Sequence, residues 1–273
     1  MNKISQTVPY QYDTVFSPFK AEEFAYALEY IALQGFTGVE IAVAHPGQVN
    51  GSKLYKQLES FGLSATTLST GQAYALDGLC LSSFDEDIRK RSVALMAEHV
   101  DLSSCLGFPC VTVGLIRGKL EKGDKRILLE NLKTSLMQCV EYAFKRGVTL
   151  QLEPICRAET LLINNTGEAL AFLNELGNPE NLGILYDTYH SWHEDDEMTE
   201  AIKAAAGKIT NVHFADSNRG MPGTGAINFS AVYEAIKSTG YKGAYALETL
   251  SIPSAEHVKM HGAFSIMSII HTR

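Results

Sequence analysis

No Cys-x-x-Cys pair occurs among the five cysteines (80, 105, 110, 139 and 156), and an odd number scattered through apolar stretches argues against a disulfide framework. Reduced thiols fit a cytoplasmic protein. There is no excess of Lys and Arg: the formal net charge is −8, the wrong sign for a sequence-independent grip on phosphate backbones. No apolar run reaches the roughly 18 residues of a membrane span. The N-terminus, MNKISQTV, lacks the charged-then-apolar order of a secretion signal. A soluble protein that binds neither nucleic acid nor membrane is predicted. Also missing are a Pro- or Ser-rich linker and any shift in composition, so residues 1 to 273 are expected to form one domain.

What is present is an alternation. Short β-branched runs at 4 to 8, 38 to 43, 63 to 69, 110 to 116, 148 to 154, 182 to 187, 209 to 215 and 243 to 248 are separated by amphipathic stretches such as PFKAEEFAYALEYIALQ and KRILLENLKTSLMQCVEYAFKR. Helical patterns ending at Gln34, Phe61, Leu106, Arg146, Leu176 and Thr239 each run into a glycine, the residue suited to a left-handed helix cap. A strand follows each glycine closely, whereas the strand-to-helix links at 70 to 84, 155 to 165, 188 to 198 and 216 to 228 are long. Eight alternating units elaborated at one end predict a single (β/α)8 TIM barrel of the α/β class, with its active site at the carboxyl ends of the strands. An open doubly wound sheet would carry a glycine-rich turn after its first strand, and YQYDTVFSPF has no glycine.

Period-two alternation gives each strand an inner face. In VTLQLE, Val148, Leu150 and Leu152 turn outward, leaving Glu153 as the last inward residue. The same count puts Asp187 inward at the end of ILYD, His213 in NVHF and Glu248 at the end of GAYALE. Glu40 faces inward too, and reads as a structural hydrogen-bond partner. One buried acid is ordinarily just bonded to a neighbouring loop. Three converging in a barrel mouth repel one another and raise their pKa values unless a cation intervenes. Glu153, Asp187, His213 and Glu248 are therefore candidate ligands for one divalent metal ion. Their oxygen-rich donor set suits Mn2+ first, with Mg2+, Co2+ or Zn2+ as alternatives.

The motifs LEPICRAET (152 to 160), LYDTYH (185 to 190), VHFADSNRGMPGTG (212 to 225) and YALE (245 to 248) resemble, in order and spacing, the sugar isomerase/epimerase barrels related to xylose isomerase. Within that family they look like the ketose 3-epimerases, and TGQAYALDGL (70 to 79) with VGLIRG (113 to 118) is similar to the branch that includes 5-keto-L-gluconate epimerase. The resemblance implies the same four metal ligands, and adds His190, Arg219 and Glu159 as residues that bind the oxygens of a ketose or keto sugar acid. It implies inversion of the carbon beside the ketone through a cis-enediolate, with Glu153 and Glu248 as the two acid/bases. Aldose-ketose or inosose isomerisation on the same metal site is the nearest alternative. Gln72, Arg117 and Cys156 are secondary substrate-facing candidates, and a homodimer or homotetramer is implied.

Two departures from the epimerase pattern stand in loops expected to face substrate. Cys156 replaces Asn, and Ser191, Trp192 and His193 replace Met-Asn-Ile, with His193 read as a loop residue. Glu194, Asp195, Asp196 and Glu197 are expected to complement the N-terminal dipole of a helix at 198 to 208. Apurinic endonuclease relatives on the same barrel would need further histidines at the ends of strands three and four, where the chain reads LSTGQ and VGLIRG.

Overall fold

A computed structural model describes residues 2–119 and 123–271, and in it eight parallel strands close into a barrel in chain order. They are β1 (Ile4–Pro9), β2 (Gly38–Ala42), β3 (Ser64–Ser69), β4 (Cys110–Val113), β5 (Leu150–Leu152), β6 (Leu182–Asp187), β7 (Ile209–Phe214) and β8 (Ala244–Leu247). Closure comes from β1 lying beside β8, with Ser5 next to Ala246, so no sheet edge is exposed. The helices are α1 (Phe24–Leu33), α2 (Gly51–Ser60), α3 (Gly71–Asp77), α4 (Glu86–Cys105), α5 (Lys125–Phe144), α6 (Thr166–Glu175), α7 (Thr188–Glu194), α8 (Met198–Ala204), α9 (Phe229–Ser238) and α10 (Ala255–Ile270). Among the described residues no helix is long and apolar enough to cross a membrane.

The outward set of each strand builds the core. Ile41, Val111, Leu150, Ile184, Val212 and Leu247 are buried in one cluster with Leu28 and Ile31 of α1 and Leu132 and Leu136 of α5. The six predicted terminator glycines all have positive φ, which carries the chain from each helix back into the barrel. Side-chain caps start the helices: Asp85 for α4, Asp124 for α5, Asn165 for α6, Asn228 for α9 and Ser254 for α10.

Two local differences from the sequence reading bear on the site. The links at 70 to 84 and 188 to 198 are not plain loops but hold α3 and α7. The fourth strand stops at Val113 rather than running to residue 116, and the chain turns into a 3-10 segment, Leu115–Arg117.

Below the mouth the barrel interior is polar. Gln151 Nε2 donates to Thr112 Oγ1 (2.9 Å) and Gln151 Oε1 accepts from Thr210 Oγ1 (3.0 Å). Asn211 Nδ2 donates to Thr67 Oγ1 (3.0 Å). A register irregularity sets Ile184 beside Ile209 but Leu185 beside Asn211, leaving Thr210 as the extra residue. Thr210 and Asn211 can therefore both reach polar partners across the barrel.

Candidate active site

Glu153, Asp187, His213 and Glu248 come together at the carboxyl ends of β5 to β8, each offering one ligand atom, with the four atoms within 4.8 Å of one another. His213 Nδ1 lies 3.2 Å from Glu248 Oε2, 3.7 Å from Asp187 Oδ2 and 3.9 Å from Glu153 Oε1. Local structure aims these atoms. Asp187 caps α7, its Oδ1 accepting from the backbone N–H of Tyr189 (2.7 Å) and His190 (3.3 Å), which leaves Oδ2 buried and without a hydrogen-bond partner. His213 Nε2 pairs with Glu40 Oε2 at 2.8 Å, leaving Nδ1 likewise without a partner.

Gly114 backs Glu153, and a Cβ there would stand 3.0 Å from Glu153 Oε2. Gly114→Ala is therefore expected to displace that carboxylate by a few tenths of an ångström. Steady-state kinetics should show kcat/KM reduced about tenfold or more, with the circular dichroism spectrum unchanged.

Electrostatics sharpen the picture. Two ionised carboxylates no more than 4.8 Å apart repel by at least about 3 kcal/mol at an effective dielectric constant of about 20. Burial, and then the charge of Glu248, push the Glu153 carboxyl well above its ordinary range. Burial works against the charged form of His213, yet Glu40 and Glu248 hold its imidazole well above the usual histidine value. Both shifts favour the protonated forms because nothing else offsets the crowded acids, and a bound cation would supply the same charge balance. Two orphaned ligand atoms aimed into a set of three carboxylates and one imidazole fit a divalent ion.

Beside this cluster lies a cavity of about 290 Å³ lined by Glu153, Glu159, His190, His213, Arg219 and Glu248 among others. His190 Nδ1 accepts from the backbone N–H of Cys156 (3.2 Å), so its proton sits on Nε2. That nitrogen is 3.9 Å from Glu153 Oε1. Burial pushes the His190 imidazole down to about 3 in spite of Asp187, making it a neutral donor rather than a cation. Arg219 adopts a left-handed backbone conformation (φ 59°). Its guanidinium packs 4.3 Å from the Phe16 ring centroid and 4.6 Å from that of Tyr189. Its Nη1 binds Glu159 Oε1 at 2.5 Å and its Nη2 is 3.8 Å from Glu248 Oε2. Burial opposes its charge, but Asp187 and Glu248 raise its pKa above the ordinary arginine value.

The secondary candidates divide. Gln72 lines the cavity from α3, its Nε2 donating to the carbonyls of Tyr12 (2.5 Å) and Asp13 (3.3 Å) while Oε1 has no partner. Arg117 does not reach the cavity. The early end of β4 swings it behind the wall, where its fully buried guanidinium donates to the carbonyls of Glu153, Leu162 and Ile163. Cys156 is buried, and it is its backbone N–H that meets His190.

The other loop departures also lie elsewhere than expected. Ser191 Oγ sits behind the pocket on Tyr186 Oη (2.5 Å) and Asp195 (2.8 Å). Trp192 is 42% exposed and lines a separate surface groove with Met198 and Val232. His193 belongs to α7, not to a loop, and pairs with the Ser217 carbonyl (3.2 Å). A seven-residue helix at 188 to 194 rotates these three side chains away from the mouth. The acids do not all serve one helix: Glu197 caps α8, which ends at Ala204, whereas Asp195 holds Thr166 at the start of α6 and Glu194 accepts from the Arg157 N–H.

Asp13 and Phe16, from the segment after β1, line the cavity and were not singled out by sequence. Their position after a barrel strand was the available signal.

A closed (β/α)8 barrel with a carboxylate-and-imidazole cluster at the carboxyl ends of its strands is the arrangement of a barrel enzyme's active site. The chain belongs to the xylose isomerase-like TIM barrel family, whose sequence profile matches residues 28–261. It is 33% identical over 220 residues to an L-ribulose 3-epimerase from Mesorhizobium japonicum, covering 80% of this chain and 72% of that protein. To a ketose 3-epimerase from Arthrobacter globiformis it is 31% identical over 235 residues, covering 85% and 80%. The crystal structure of a Methylomonas sp. D-allulose 3-epimerase in complex with D-allulose superposes with a TM-score of 0.78 at 26% identity, covering 97% of this chain and 90% of that one. Epimerases are isomerases, and it is these relatives that put the chain in the isomerase class.

Proposed function

We propose that this chain is a divalent-metal-dependent epimerase that inverts the carbon beside the carbonyl of a neutral, unphosphorylated ketose. The observation that carries this reading is the pair Glu153 and Glu248, set at the ends of β5 and β8 on one cavity, with Asp187 Oδ2 and His213 Nδ1 orphaned between them. The relatives named as ketose 3-epimerases support it. Glu153, Asp187, His213 and Glu248 would hold the metal ion, which when bound supplies a Lewis acid for the ketone oxygen.

The chain's own groups carry the proton chemistry. One glutamate takes the proton from the carbon beside the carbonyl, and the C–H electron pair moves toward the ketone oxygen. His190 Nε2–H and the Arg219 guanidinium lie at the same cavity to donate to that oxygen as its charge grows. The other glutamate returns a proton to the opposite face as the electron pair moves back, which inverts the centre. Arg219 is held in place by Glu159 and by two aromatic faces, so it is ordered before substrate arrives.

Charge favours a neutral sugar over a sugar acid or phosphate. Among the described residues lining the cavity, Arg219 is the sole Lys or Arg, and Glu159 already pairs with it; the three ligand carboxylates outnumber the charge of one divalent ion, and Asp13 adds a further negative charge. A panel of ketoses and keto sugar acids incubated in D2O with Mn2+ tests the reading. Neutral ketoses are expected to incorporate one deuterium at C3 with inversion, and keto-uronates to turn over at least tenfold more slowly. Deuterium at C1 with aldose formation would instead identify an aldose-ketose isomerase.

A further inference from the structure

We propose that Glu40 is a positioning residue that acts through His213, fixing which imidazole nitrogen faces the metal cluster. This rests on the metal reading of the site given above. Glu40 is on β2 and His213 on β7, so the contact spans the barrel interior rather than joining neighbouring strands. Glu40 is fully buried, and its Oε2 receives both His213 Nε2 at 2.8 Å and Asn211 Nδ2 at 3.4 Å. Asn211 is itself anchored on Thr67 Oγ1 at 3.0 Å. The register shift between Val39 and Glu40 falls where β2 presents this carboxylate. A carboxylate is an unfavourable way to fill a core, where an apolar side chain of similar volume avoids the desolvation penalty.

The chemistry explains the arrangement. A neutral imidazole carries one proton. An acceptor at Nε2 keeps it there, leaving the Nδ1 lone pair directed at the cluster. Without Glu40, the proton can move to Nδ1 and bond Glu248 Oε2, 3.2 Å away, which removes two ligand atoms at once.

The test titrates metal-free protein with Mn2+, reading free Mn2+ by electron paramagnetic resonance, for wild type, Glu40→Gln and Glu40→Asp. The Kd for Mn2+ is expected to rise about 10- to 100-fold in Glu40→Gln and by less in Glu40→Asp, which keeps the charge at a longer reach. Saturating Mn2+ is expected to restore much of kcat, and nitrogen-15 spectra of wild type loaded with diamagnetic Mg2+ to show the single His213 proton on Nε2. A merely structural role would lower the melting temperature of the metal-free variants and leave Kd unchanged. Unchanged Kd in whichever variant folds, with wild type binding Mn2+, overturns the proposal. Wild type failing to bind Mn2+ is a different result, which removes the metal reading and this inference with it.

Discussion

Glu248→Gln, assayed at saturating Mn2+, is expected to lose roughly 10²- to 10⁴-fold in epimerisation rate, the range typical of removing a positioned acid/base. Gln keeps an oxygen for the metal but cannot carry the proton. The sharper readout is exchange. Glu153, at the end of β5, still has a carboxylate, so the epimer whose C3 proton faces it is expected to exchange with D2O while keeping its configuration. Exchange without inversion in Glu248→Gln, and the mirror pattern with the other epimer in Glu153→Gln, is the signature of two bases on two faces. Undiminished inversion in either variant would sink the two-base mechanism. A single base serving both faces would abolish exchange and inversion together in one variant and spare both in the other.

Removal of divalent metal is expected to have an effect of comparable size and to show in stability as well. With chelator, turnover should fall below detection, and Mn2+ should restore it. The physical reason is the cluster itself: three carboxylates and an imidazole with ligand atoms within 4.8 Å of one another, each close pair of ionised acids repelling by roughly 3 kcal/mol. A ligand that binds only the folded state at about 1,000 times its Kd stabilises by about 4 kcal/mol, which for a chain of this size raises Tm by roughly 10 °C. Differential scanning calorimetry with and without Mn2+ checks this. A chelator-treated protein with full activity and an unshifted Tm would mean that protons on Glu153 and His213 suffice to balance the site.

The alternation of side chains along a strand is a local property, and it carried far here. Counting by twos through VTLQLE, LGILYD, ITNVHF and GAYALE placed Glu153, Asp187, His213 and Glu248 on one face at one end of the barrel, and their ligand atoms lie within 4.8 Å. The terminator glycines marked where helices stop because few other residues accept a positive φ at low cost. The count failed where the backbone left regular geometry. Arg117 was placed at the end of a fourth strand read to residue 116, but the strand ends at Val113, and the 3-10 turn that follows sends its side chain behind Glu153. Trp192 was counted along a loop that is a helix, whose rotation of about 100° per residue carries it to an outer groove.

Fold class, the four metal-site candidates and the acidic character of the mouth were thus written in residue order, because strand period and charge are properties of neighbouring residues. The partnerships that tune the site were not. Glu40 on His213, the Cys156 N–H on His190 and Phe16 on Arg219 join residues separated by 173, 34 and about 200 positions. Only the tertiary fold brings such pairs within reach, and no local pattern records which strand or loop arrives opposite a given side chain.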